Sequence, residues 1–165
     1  MKAFFPILLI AAAVPGAPAL AQPSAEATSA PSPLLGSWAV DVLRMSAPPE
    51  ARPRSVTITY SDVGEGKWRT NVDIVGGDGS KLNAVGTYKL DGTPAPSKGY
   101  PGADTAVATM PARNVMVMAL YKDGMPRTTR TYVVAPDGGS MTETVVYLNL
   151  NGTPEMLTNH FNRVR

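Results

Sequence analysis

The chain has one histidine, His160, so any imidazole chemistry must pass through that residue. It stands in Thr158-Asn159-His160-Phe161-Asn162, on the strand face opposite Phe161. A serine-histidine-acid triad would have to use it, yet no nucleophile-elbow motif occurs anywhere. Zinc requires about three or four converging His, Cys or carboxylate ligands, and the chain offers a single His and no cysteine. Most aspartates look like turn formers: Asp62, Asp78, Asp91, Asp123 and Asp137 fall in turn-like breaks beside glycine, where an Asp side chain caps nearby amides. Asp73 and Glu143 lie within strand-like segments, facing each other or solvent, and a glycosidase would need such a pair in one cleft. Met116 and Met118, with Met110, Met141 and Met156 on neighbouring segments, could offer thioethers to Cu(I). The plainer reading is packing, or a pliable apolar pocket, since methionine fills irregular space. Arg127 and Arg130 point to opposite faces of one segment, and Arg130 shares its face with Tyr132 and Val134. Facing inward beside Tyr132, Arg130 could grip a carboxylate head group. The favoured expectation is an outward Arg130 paired to Glu143 across a hairpin. No catalytic constellation, metal site or cofactor motif emerges, and no enzyme is expected. An enzyme using few polar groups would fall back on Arg130, Tyr132 or Glu143.

The elements that carry these residues are strands. Val56, Ile58 and Tyr60 alternate with Ser55, Thr57 and Thr59. Trp68, Thr70, Val72 and Ile74 oppose Arg69, Asn71 and Asp73, and Leu82, Ala84, Gly86 and Tyr88 oppose Lys81, Asn83 and Lys89. A period of two places one face on a core and the other in water. Gly64-Glu65-Gly66, Gly76 to Gly79, Asp91-Gly92, Pro111 to Asn114, Asp123-Gly124, Asp137 to Gly139 and Asn151-Gly152 supply hairpin tips. The spacing predicts strands over 37–43, 54–61, 67–75, 80–90, 104–110, 114–121, 126–135, 140–149 and 154–164. Proline-rich connections run from Met45 to Arg54, where Ala47 to Arg52 could form one helical turn, and from Thr93 to Asp104. The fold expected is therefore all-β, an antiparallel up-and-down meander of eight to ten strands, closed because open edges invite aggregation. Asn114 to Tyr121 and Val145 to Leu148 are apolar on both faces, which argues for a second cover, such as a homodimer partner.

Leu34-Leu35-Gly36-Ser37-Trp38 at the start of the meander, with Arg163 on its last strand, resembles the lipocalin and calycin barrels. The resemblance implies structural roles for Gly36, Trp38 and Arg163: the indole plugs the closed end and the basic residue lies across its ring. The lipocalin disulfide is absent. Asp104-Thr105 and the run Val133 to Gly138 are similar to a group of uncharacterised exported bacterial proteins, often termed lipocalin-like, over about 34–165. That similarity implies a fold and no activity.

Residues 1–21 read as a secretory signal: Lys2, an apolar stretch from Phe4 to Val14, and Ala19-Leu20-Ala21 before a cleavage point at Gln22. The apolar stretch is short for a bilayer span, and no later one approaches its length. Without cysteine, a lipoprotein anchor is excluded. Residues 22–33, rich in Ser, Ala and Pro, predict a disordered tether, with one barrel domain over 34–165. The expected location is the periplasm, or outside the cell, without a stable membrane anchor. The formal charge of +2 becomes +1 without Lys2, and the basic residues are scattered, so no nucleic-acid partner is expected.

The function these readings favour is binding of a small apolar or amphipathic molecule inside the barrel. Its lining would come from Tyr60, Trp68, Val72, Tyr88, Met116, Met118, Arg130, Tyr132 and Tyr147. The alternative is a solid, non-enzymatic β-domain that meets an envelope partner through Val115, Val117 and Tyr121.

Overall fold

Ten strands close on themselves. The computed structural model describes residues 30–164, so the expected signal segment and most of the expected tether lie outside the described residues. The strands are β1 (Gly36–Val40), β2 (Ser55–Asp62), β3 (Lys67–Val75), β4 (Lys81–Lys89), β5 (Ala95–Lys98), β6 (Thr105–Ala112), β7 (Val115–Lys122), β8 (Met125–Val134), β9 (Ser140–Leu148) and β10 (Pro154–Arg163). Each pairs antiparallel with its chain neighbours, and β1 also pairs with β10, through Trp38 opposite Arg163 and Val40 opposite Phe161. Closure removes both open edges. Two single-turn 3-10 helices, Val42–Arg44 and Pro49–Ala51, are the described helical segments. No helix among the described residues is long and apolar enough to cross a membrane.

The meander sorts the connections into two ends. The floor carries the turns at 63–66, 90–94, 113–114 and 135–139, together with the entry to β1 and the exit from β10. The mouth carries the long connection 41–54 and the turns at 76–80, 99–104, 123–124 and 149–153. Tight turns suffice wherever Gly takes a positive φ, as in Asp123-Gly124, where both residues do so.

Two differences from the sequence-based expectation have physical causes. The connection 93–104 contains an extra strand, β5, which makes only two registered pairs with β4 and two with β6. Pro96 brings no amide donor, and four residues are too few to show an alternating pattern. The two-sided apolar strand β7 is not buried on both sides: Met116 and Met118 are buried, while Val115, Val117 and Tyr121 keep part of their surface.

At the floor, Trp38 is fully buried, and its Nε1 donates to the Leu34 carbonyl at 2.8 Å. The Arg163 guanidinium lies 4.1 Å from the indole centroid. Its Nε donates to the Gly138 carbonyl (2.6 Å), Nη1 to the Leu35 carbonyl (2.9 Å), and Nη2 to the Pro33 carbonyl. A Cβ on Gly36, whose φ is +108°, would stand 3.0 Å from Arg163 Nη1, so glycine keeps this crossing open. The segment before β1 joins the floor as well. Ser32 Oγ donates to the Arg113 carbonyl at 2.6 Å, and Arg113 returns a bond to the Pro31 carbonyl at 2.9 Å. Packing therefore begins at Pro31, inside the stretch expected to be a tether.

Candidate functional site

Above this floor the inward side chains thin out and leave a cavity of about 220 Å³. Inward positions of every strand but β5 and β9 give it apolar walls, including Val56, Ile58, Val72, Ala106, Leu120 and Phe161. Its mouth is covered in part by Met45, from the long 41–54 connection, and by Tyr100, from the 99–104 turn. The 41–54 connection is tied down by short-range bonds. Asp41 accepts from the Leu43 amide (3.2 Å), and Arg52 donates to the Ala47 and Leu43 carbonyls (2.7 and 3.1 Å). It meets the barrel through the Asp41 amide on the His160 carbonyl (2.7 Å) and Arg44 Nη2 on His160 Nε2 (3.1 Å).

One wall is polar, and strand register builds it. Glu143 on β9 stands opposite Tyr132 on β8 and Asn159 on β10, while Arg130 sits diagonally, one inward position from Tyr132. Arg130 Nη1 donates to Glu143 Oε1 at 2.7 Å, and Asn159 Nδ2 donates to Glu143 Oε2 at 2.7 Å. Arg130 Nε also reaches Thr128 Oγ1 at 3.3 Å. Glu143 is 2% exposed, and Arg130, Tyr132, Glu143 and Asn159 all border the cavity. Burial alone would lower the Arg130 pKa; Tyr132 and Glu143 outweigh it and hold the guanidinium above its ordinary range. Burial, with the Glu143 charge adding to it, pushes the Tyr132 phenol up. Between wall and floor, Tyr60 packs edge-on to Tyr132 (5.9 Å between centroids) and tilted to Trp68 (6.3 Å). The Tyr60 hydroxyl is buried with no hydrogen-bond partner among the described residues, and burial is the main cause holding its pKa well above the usual phenol value. Across the barrel Thr70 Oγ1 and the Tyr88 hydroxyl share a hydrogen bond, while burial pushes the Tyr88 phenol up to about 12.

The residues singled out in the sequence fall into three groups. Val72, Tyr88, Met118, Arg130 and Tyr132 border the cavity. Tyr60, Trp68 and Met116 belong to the buried cluster around it. Tyr147 takes part in neither, because its hydroxyl donates to Glu155 Oε2 (2.6 Å) near the mouth. The Arg130–Glu143 pair forms, but inside the barrel, which corrects its expected outward placement. Nor do Asp73 and Glu143 share a cleft. Asp73 lies outside, accepting from Asn71 (2.6 Å) and Asn83 (2.7 Å), whereas Glu143 points inward. Of the methionines, Met116, Met118 and Met141 belong to the buried core cluster and Met110 packs against it, while Met156 is 71% exposed and stands apart. No three His, Cys, Asp or Glu side chains among the described residues are grouped to hold a metal ion. Asn159, Thr70 and Tyr100 were not singled out. Asn159 did leave a trace, being the polar member of the inward series Leu157, Asn159, Phe161.

The closed meander with its internal cavity has a calycin-like barrel fold. A crystal structure of a mutant of the fluorescent protein UnaG is similar, with a TM-score of 0.52 at 16% identity over 81% of this chain and 97% of that one. At that identity the likeness establishes the fold. No family model and no curated sequence matches the chain.

Proposed function

We propose that this is an exported, lipocalin-like binding protein that holds a small apolar or amphipathic molecule in its barrel and performs no chemistry on it. The observation that carries the reading is the cavity of about 220 Å³, apolar over most of its wall, with a charged cluster where Arg130, Glu143 and Asn159 meet and the uncharged Thr70–Tyr88 pair across from it. Ligand sites of small barrels have this composition: apolar surface for affinity and a few polar groups for orientation. Its likeness in fold to a fluorescent protein is compatible with that use. Binding without turnover is supported by the state of the candidate groups: Glu143 is committed to Arg130 and Asn159, and His160 meets Arg44 on an exposed contact. The periplasmic or secreted location rests on residues 1–21.

Native mass spectrometry of the mature chain, purified from its own compartment, tests the reading. A co-purifying small molecule, released on denaturation, is the expected result. A bare mass, combined with no uptake of any apolar probe, would overturn it. A second reading, an interaction domain or homodimer, draws on the outer face, where Val133 (39% exposed), Val146 (42%) and Met156 (71%) leave apolar surface in water. A dimer mass in the same spectrum would favour it.

A further inference from the structure

Given that ligand-binding reading, the buried ion pair defines which head group the cavity accepts. Both Glu143 oxygens are engaged, Oε1 by Arg130 and Oε2 by Asn159, each at 2.7 Å, in a side chain only 2% exposed. The polar wall therefore carries one positive and one negative charge in contact and no net charge. The other titratable groups facing it, Tyr132 on β8 and Tyr60 on β2, are phenols, uncharged at neutral pH. A ligand carboxylate entering here has two options. It can draw Arg130 away and strand Glu143 as a buried anion, or it can sit as a second anion beside Glu143. Both are unfavourable where water is excluded. An ammonium group meets the mirror-image problem at Arg130.

A hydroxyl or amide head meets neither problem, and it finds partners. A guanidinium has about five N–H donors, and the bonds to Glu143 and Thr128 leave others free. Asn159 uses its Nδ2 on Glu143 and keeps an amide oxygen as acceptor on the same wall. We infer that the cavity selects molecules with an apolar body and an uncharged hydrogen-bonding head, an alcohol or amide, over carboxylates of the same length. Glu143 is the specificity-determining residue, because it neutralises the arginine that would otherwise attract an anion.

Calorimetric titration at pH 7.5 with 1-decanol and with sodium decanoate compares two heads on one ten-carbon chain. For the wild-type protein, decanol should bind tighter by about tenfold or more. In Glu143→Gln the carboxylate charge is gone while the amide keeps the shape, so Arg130 is freed and decanoate should become the tighter ligand by a similar factor. Equal or tighter decanoate binding by the wild type overturns the selectivity and leaves the ligand-binding reading standing. An unchanged decanol preference in folded Glu143→Gln overturns it too. Should that variant fail to fold, the wild-type ratio decides alone. Binding of neither probe to the wild type overturns the selectivity together with the broader reading.

Discussion

Two arginines sit within the barrel, and the difference in how they are compensated separates its floor from its cavity. Arg163 is held entirely by uncharged groups: three backbone carbonyls and the face of Trp38. Arg130 is held chiefly by a charge, Glu143, at the edge of empty space. Carbonyl partners are fixed by the path of the backbone and cannot leave without opening the chain near Pro33, Leu35 and Gly138. A carboxylate partner can be re-paired or out-competed by something entering the cavity. The first arrangement suits a permanent seal, since guanidinium stacking on indole works without a titratable partner. The second suits a site whose polarity must be set while remaining open to a ligand.

The largest effect expected on this comparison comes from the floor. Trp38→Ala removes a fully buried indole, its bond to Leu34 and the platform under Arg163, and should cost about 4 kcal/mol. Urea denaturation measures this. Decanol affinity of the remaining folded fraction should change little, because Trp38 does not border the cavity. Loss of stability and affinity in equal measure would show that floor and cavity are one unit.

The wall should respond differently. Glu143→Ala leaves the Arg130 charge without its counter-ion and should cost about 3 kcal/mol, at the low end for a broken buried pair because Arg130 keeps 23% of its side-chain surface. Replacing both partners, Arg130→Met with Glu143→Leu, should restore stability to near wild type, since no charge is then buried alone. The double variant should still prefer decanol to decanoate, because a carboxylate would then lose its water with no cation beside it. If it proves as unstable as Glu143→Ala, the pair is structural like the floor, and the contrast fails.

Much of the barrel was legible because a half-buried strand writes its two environments into alternate residues, as Val56, Ile58 and Tyr60 do against Ser55, Thr57 and Thr59. Strand β5 was not, since its proline and short length erase the alternation. The site was legible only in part. That Arg130 and Tyr132 share a face follows from their spacing, but whether that face looks inward does not. The usual rule that charges face water points the wrong way here. A better signal was available in the company each charge keeps: Glu143 between Met141 and Val145, and Arg130 in line with Tyr132 and Val134. A charged residue in register with an apolar series, on two adjacent strands at once, marks an internal pair. No pattern in the chain could reveal that the space beside that pair is left unfilled.

The smallest expected effect separates wall from floor by pH. Tyr88, which borders the cavity, has its phenol pushed from 10.0 to about 12 by burial, partly offset by Thr70. Between those values the folded state keeps a proton that the unfolded state has lost, so stability must fall as pH rises. At about 1.4 kcal/mol per pH unit, Tyr88 alone removes roughly 2 to 3 kcal/mol across that window. The contribution is fully present below pH 10 and lost as pH approaches 12. Tyr60 and Tyr132, also raised by burial, steepen the same fall. The phenols raised by burial belong to the cavity and the core cluster around it, so alkaline unfolding is driven from the cavity side. Tyr88→Phe should lose some stability at pH 7, because Thr70 is left without its partner, yet show a shallower decline between pH 10 and 12. Urea midpoints across that range, followed with phenolate absorbance, measure the slope. An unchanged slope in Tyr88→Phe would mean that the phenol ionises in the folded barrel, and that water reaches deeper past the wall than the burial of Tyr88 allows.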